Sequence, residues 1–346
     1  MSYQIGWDTF HLKPTVRLAH TEYCDSDPII RAVTGLDPSR DGRARGLFND
    51  AWQLDYLWKT NDGPAAWSER GRTTDMGHAE FMEGGRDRRE ARSSPFKTVE
   101  EAWEFNAVEE YGLPGFDGLV QYYEKWYKEA QAANPNQVCG GGYYKTLVSG
   151  AIEALGWEML LTAASDWDRF EQVLDAVFQL SLHHFKAWAE TSIEVFMCHD
   201  DMVWSQGAFM HPDFYRRAVF PRYKQLWLVL KAAGKIVLFT SDGDYTQFLD
   251  DVAEAGADGF CFEPMVPLGA VVRKFGRTHV VMGSAVDCRT LTFGTTEEIK
   301  AEVDATLELA AGCPGFMFAV GNHIPSNVPV ENALFFFDYL SRNWCR

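Results

Sequence analysis

Positive charge is scarce in this 346-residue chain: 32 Lys and Arg stand against 49 Asp and Glu, a formal net charge of −17. A surface so acidic repels a phosphate backbone or an anionic membrane, which removes nucleic acid from the expected partners. Paired cysteines are missing too. The seven cysteines, at 24, 139, 198, 261, 288, 313 and 345, form no CxxC, and an odd, scattered set predicts reduced thiols in a cytoplasmic protein. No run of 18 apolar residues occurs, and the opening MSYQIGWDTFHLKP lacks a basic stretch followed by an apolar one, so a soluble, unprocessed chain is expected. HExxH, EF-hand and P-loop patterns are absent, and GGGYYKTLVSG at 140–150 does not fit the GxGxxG of a dinucleotide turn.

What the chain does have is alternation. From about residue 190, short apolar runs rich in β-branched and aromatic residues follow one another: IEVFMC (193–198), KIVLFT (235–240), GFCF (259–262), HVVMGSAV (279–286) and GFMFAV (315–320). Each is too short for a helix. Between them lie helical segments with proline early and glycine late, such as the one from Pro212 to Gly234, or TTEEIKAEVDATLELAAG ending at Gly312. PTVRLAH (14–20), NQVCGGGYY (136–144) and the weaker LDYLWKT (54–60) bring the strands to eight. This predicts an α/β fold, a single-domain (β/α)8 TIM barrel over 1–346, with an N-terminal extension and a long loop excursion near residues 60–100.

In such a barrel the C-terminal strand ends converge on one pocket. Here those ends are acidic. His20 and Glu22 follow the first strand, Tyr143 and Tyr144 the third, and His199, Asp200 and Asp201 the fourth. Asp242 and Asp244 follow the fifth, Glu263 the sixth, Asp287 the seventh, and Asn322 with His323 the eighth. Several members also have plain structural readings. Asp244 precedes YTQFLDD and reads as a helix cap, Asp287 as the fixing residue of a turn, and Cys261 and Cys288 as buried, inert thiols. His323 is a loop histidine or a site residue, and the two tyrosines are packing aromatics or pocket hydroxyls. The Asp200-Asp201 doublet stands apart, because burying one carboxylate beside another needs a shared proton or a cation. Asp242 and Glu263, on consecutive strands, pose the same problem. Either a proton-sharing network or a divalent metal on Asp242 and Glu263 relieves it, and such oxygen-rich sets with an imidazole suit zinc, magnesium or manganese.

The stretches HDDMVWSQGAFMHPDFYRRAVFPRYKQLW (199–227), GKIVLFTSDGDYTQFLDDVAEAGADGFCFEP (234–264), VVMGSAVDCRTLTFGTTEEIKAEV (280–303) and PGFMFAVGNHIPSNVPVENALFF (314–336) resemble the uroporphyrinogen decarboxylase superfamily. That superfamily includes the decarboxylase of haem biosynthesis and corrinoid-dependent methyltransferases. The resemblance implies a (β/α)8 barrel and a homodimer. Two departures narrow it. The RQAGR-type segment that grips porphyrinogen carboxylates is here TVRLAHTEY, keeping only Arg17, which argues against a tetra-acidic substrate. Thr240-Ser241-Asp242 stands where thiol-methylating members bind zinc through His-x-Cys, and Asn322 stands near their last cysteine ligand.

The resemblance then implies removal of a methyl group from a small ether or amine to cobalamin(I) carried by a partner corrinoid protein. In that reading Asp242 and Glu263 hold a metal or proton, His199 or His323 protonates the leaving atom, and Asp200 or Asp201 orients the substrate. His20, Glu22, Arg17, Tyr143, Tyr144, Trp204 and Asn322 surround the small-molecule substrate, and Trp52, Trp58, Trp67 and Trp204 are offered as an apolar or cation-accepting wall. Two alternatives stand beside it. One is a decarboxylase or lyase of a small carboxylic acid, with Arg17 or His20 against the departing carboxylate. The other is a barrel that binds a small molecule or corrinoid without chemistry.

Overall fold

Side-chain parity along short apolar runs organises the molecule. In the computed structural model, which describes residues 2–74, 80–82, 86–88, 93–321 and 323–346, eight short strands line one barrel. They are β1 (Ala19–His20), β2 (Tyr56–Leu57), β3 (in two segments, Val138–Cys139 and Gly141–Tyr143), β4 (Val195–His199), β5 (Ile236–Ser241), β6 (Gly259–Phe262), β7 (Val280–Gly283) and β8 (Phe316–Phe318). Parallel pairing runs β1-β8-β7-β6-β5-β4 and on to the second segment of β3, while the first segment of β3 pairs with β2. The ring closes between β1 and β2. There the Asp55 N–H donates to the His20 carbonyl at 2.7 Å, the His20 N–H donates to the Asp55 carboxylate at 2.8 Å, and the Thr21 hydroxyl reaches the Tyr56 carbonyl at 2.8 Å. The expected (β/α)8 barrel is the observed one.

Alternate residues of each strand enter two separate cores. Ala19, Tyr56, Val138, Val195, Met197, Leu238, Val280, Met282 and Met317 fill the barrel interior. Phe196, Cys198, Val237, Phe239, Phe260, Phe262, Val281, Phe316 and Phe318 pack outward against the helices. Each fully buried aliphatic or aromatic side chain contributes about 1.5–3 kcal/mol, so a register slip of one residue would invert both cores. The N-terminal extension is a helix, Ser2–Phe10, whose Ile5 and Phe10 join the interior core. Gly140 is glycine for space: a Cβ there would stand 2.3 Å from the Tyr56 hydroxyl inside the barrel.

The helix expected over 212–234 is interrupted. Pro212–Phe214 runs into a π-helical turn, Tyr215–Val219, before Phe220–Ala232 continues as α-helix. Pro221 has no N–H to offer Arg217, and the wider turn accommodates that missing bond. The excursion near 60–100 is described over residues 60–74, 80–82, 86–88 and 93–100. It holds a 3-10 turn, Trp67–Glu69, and an antiparallel hairpin, Glu80–Met82 with Arg86–Arg88. Trp67 is buried and stacks on Tyr111. Among the described residues no helix is long and apolar enough to cross a membrane.

Candidate functional site

The parity that sends Val195 and Met197 inward sends His199 inward as well, at the C-terminal end of β4. The same rule delivers Asp242 beyond β5 and Glu263 beyond β6 to the barrel mouth. These are the strand ends that the alternation pointed to. His199 Nε2 lies 3.1 Å from Asp201 Oδ1, which also accepts the Asp242 N–H at 2.8 Å. The second oxygen of Asp201 accepts the Tyr144 hydroxyl at 2.7 Å, and its own N–H donates to Ser149 Oγ at 2.7 Å. The His199 ring is flanked by Tyr144, 4.2 Å between centroids, and edge-on by Trp58, 6.2 Å away. Burial would raise the Asp201 carboxyl. The His199 charge and hydrogen bond, the Asp242 N–H and the Tyr144 hydroxyl outweigh it and hold the group below the ordinary carboxylate range.

His199, Asp201 and Asp242 each offer a ligand atom within 4.8 Å of the others. One imidazole and two carboxylates around a common point fit a divalent ion that accepts nitrogen and oxygen donors. The group contains no cysteine, so its donors are hard oxygen and borderline nitrogen rather than soft thiolate. The expected pair of Asp242 with Glu263 is arranged differently. Glu263 accepts the Gly243 N–H at 2.7 Å, and the group of ligating atoms is completed by His199 and Asp201. Gly243 has φ +86°, and a Cβ there would stand 2.6 Å from the Trp204 carbonyl, so glycine alone permits the turn that carries Asp242. Asp244 accepts the Thr246 N–H at 2.9 Å and the Thr246 hydroxyl at 2.5 Å, a local turn bond just before Thr246–Phe248, whose N-cap is Tyr245 rather than Asp244.

Asp200 takes the opposite parity. It is fully buried between sheet and helices, where it accepts the Val148 and Ser149 N–H groups at 3.0 and 2.6 Å and the Tyr223 hydroxyl at 2.5 Å. Burial raises its carboxyl to about 6 against these three donors. Asp200 thus anchors the first turn of the helix Val148–Leu155 rather than facing the mouth. Tyr143 and Tyr144 divide in the same way. Tyr143 points outward and stacks on His184 at 4.9 Å, while Tyr144 turns inward onto His199.

On the opposite rim, Glu22 reaches the β8 side of the mouth, both carboxylate oxygens 3.1 Å from the Val320 N–H, and His20 stands behind it. Glu22 lines a small cleft with Thr21, Trp58, Cys261, Met282 and Val320. Arg17 is placed elsewhere. Its Nη1 and Nη2 donate to the two oxygens of Asp55 at 2.6 and 2.8 Å, and its guanidinium packs 4.3 Å from the Trp344 ring, at the β1–β2 seam. Trp52 and Trp67 are core, whereas Trp204 is 44% exposed and clusters with Trp157 and Phe209. His323 is half-buried with its ring against Tyr23, and Asn322 lies outside the described residues. Ser149 and Ser284 escaped the sequence reading. Counting inward from Val280 and Met282 leads to Ser284, where the positive φ of Gly283 and Ser284 ends the regular alternation.

A parallel barrel with an imidazole–carboxylate cluster at the C-terminal strand ends defines the class of molecule. Residues 147–342, more than half of the chain, match the family described as Uroporphyrinogen decarboxylase (URO-D), and the protein belongs to that family. Among curated proteins, the uroporphyrinogen decarboxylase of Geobacter sulfurreducens is 27% identical over 51% of this chain and 49% of its own length. The one from Streptomyces avermitilis is 28% identical over 44% and 41%. The chain therefore spans about half the length of the curated relatives it matches. The solved structure of a methyltransferase from Methanosarcina mazei superposes with a TM-score of 0.67 at 17% identity, covering 99% of this chain and 98% of that one. At that identity the likeness shows the fold.

Proposed function

We propose that the protein is an enzyme of methyl transfer, moving a methyl group from a small ether or amine to the cobalamin(I) of a partner corrinoid protein. The observation that carries this reading is the His199–Asp201–Asp242 cluster beside a cavity whose described lining contains Glu22 but neither Arg nor Lys. A substrate bearing several carboxylates needs cations around it. A neutral or cationic methyl donor does not.

A divalent ion held by His199, Asp201 and Asp242 would supply Lewis acidity toward the leaving heteroatom. The chain's own part is positioning. Tyr144 and the Asp242 N–H fix the rotamer of Asp201, Trp58 and Tyr144 fix the plane of His199, and the apolar surfaces of Trp58 and Met282 limit the entry of water. A single barrel domain over 1–346, a homodimer and a cytoplasmic setting complete the proposal. Decarboxylation of a small acid is the second reading, favoured by the names of the curated relatives. Among the described residues the cavity lining offers no Arg or Lys to the departing carboxylate, Arg17 being committed to Asp55, which leaves His20 as the group to serve it.

The test is incubation with cobalamin(I) and methylated ethers or amines, following methylcobalamin by absorbance. Wild type forms it, and Asp242→Asn slows it by roughly a thousandfold, on the order of 4 kcal/mol, while circular dichroism is unchanged and elemental analysis shows loss of bound metal. Carbon dioxide release without methylcobalamin establishes the second reading instead. Full activity in Asp242→Asn removes Asp242 from the mechanism.

A further inference from the structure

Two polar groups stand at the barrel mouth, and only one of them is the His199 cluster. The other is Glu22 with His20 behind it. His20 Nδ1 lies 2.9 Å from the Trp52 carbonyl, which only accepts, so Nδ1 carries a hydrogen. That leaves Nε2 facing Glu22 Oε1 at 3.1 Å, with both side chains closed off from solvent. A bare imidazole nitrogen and an ionised carboxylate oxygen are both acceptors, and two buried acceptors do not sit in hydrogen-bond contact. One proton therefore lies between them, on Nε2 or on Glu22. The surroundings make no other provision for it. The His20 ring is enclosed by Trp52, Phe336, Phe337 and Trp344, and the nearby Asp55 is already matched by Arg17.

From this we infer that Glu22 and His20 form a one-proton pair that serves as the general acid of the site, Glu22 delivering the proton to the leaving heteroatom and His20 positioning and recharging it. The inference rests on the methyl-transfer reading for its substrate. Trp58 connects the two groups: it lines the same cavity as Glu22 and packs edge-on to His199. With His199 directed at Asp201 and Asp242, the mouth gains a proton donor that does not compete with that cluster.

For an ether donor the step balances as follows. The methyl carbon–oxygen bond breaks and its electron pair stays on oxygen. Cobalamin(I), the methyl acceptor, supplies the electron pair of the new carbon–cobalt bond and is formally oxidised to cobalt(III). The oxygen takes the proton of the Glu22–His20 pair, and a water entering the vacated cavity that Glu22 lines restores that proton before the next turnover. A quaternary ammonium donor differs in one respect: it leaves as a neutral amine and requires no proton.

That difference provides the experiment. Methylcobalamin formation is followed for an aryl methyl ether and for a quaternary ammonium donor, in wild type and in Glu22→Gln, with His20→Gln as the second variant. We expect the ether-to-ammonium rate ratio to fall about 100-fold in Glu22→Gln, the range lost with a general acid, and to fall in His20→Gln as well. An unchanged ratio overturns the inference, because a merely structural role slows both donors alike. The pair is also tested without turnover. A downfield proton resonance from the bridge is expected in wild type and is lost in Glu22→Gln, and its absence from wild type overturns the shared proton. If wild type methylates cobalamin(I) from neither donor, the methyl-transfer reading fails, while the resonance still decides whether the pair holds its proton.

Discussion

Asp55 and Asp201 are both buried carboxylates, and they differ in how completely their charge is met. Asp55, at the β1–β2 seam, is gripped by both arms of Arg17 and by the His20 N–H. Asp201, at the mouth, has an imidazole, a backbone N–H and a phenol, but no permanent cation among its recorded partners. Asp200, one residue away, shows a third solution: a helix N-terminus and Tyr223 meet its oxygens without any charge at all. The comparison teaches that a buried acid marks a site when its partners are titratable or replaceable. Where a guanidinium or a fixed set of backbone donors satisfies it, the acid belongs to the architecture.

Arg17 offers the largest way to break this contrast. Arg17→Ala strands the Asp55 charge at the seam and should lower the unfolding free energy by about 3–5 kcal/mol, read from urea transitions. The KM for the methyl donor in the remaining folded enzyme should not move. A raised KM with little loss of stability would return Arg17 to the substrate.

Asp200 gives the next effect, through pH. Its folded carboxyl sits near 6 against an ordinary 3.8, so the folded state binds this proton more tightly than the unfolded chain does. The associated stability is present at low pH and is lost as pH rises from about 4 through about 6, roughly 3 kcal/mol in all. Asp201 runs the other way: held low, it contributes above the ordinary carboxylate value and loses that contribution as pH falls below it. Urea midpoints of metal-free protein between pH 4 and 7 should therefore slope downward in wild type and flatten in Asp200→Asn. Asp201→Asn should keep the slope. If it is Asp201→Asn that flattens this window, the assignment of the two neighbours is reversed.

Much of this was legible from residue order because β-branched and aromatic runs of fixed parity specify strands strongly. β6 spans the expected GFCF, and β4, β5, β7 and β8 lie within a residue or so of theirs or inside them. The first strands were harder. β1 and β2 contribute two residues each, and their closure depends on the Asp55 side chain, whose partner Arg17 is 38 residues away in sequence. The site was legible as a collection of strand ends, but the sorting of Asp200 from Asp201 and of Tyr143 from Tyr144 was not. One residue of register exchanges the barrel mouth for the helix layer, and the sequence carries no mark of where pairing stops.

Ser284 provides the smallest and most local test of that parity. It continues the inward series of Val280 and Met282, yet its φ of +34° places a side-chain-bearing residue in the left-handed region, directly after Gly283 at +126°. Such strain costs about 1 kcal/mol or more and persists where surrounding contacts dictate it, often at a functional strand end. Ser284→Gly relieves the backbone and removes the hydroxyl, whereas Ser284→Ala removes the hydroxyl and keeps the strain. If Ser284 serves the mouth, both variants lose turnover to a similar degree, and only the glycine variant gains about 1 kcal/mol in urea unfolding. Wild-type turnover in the alanine variant would make the residue part of the turn alone.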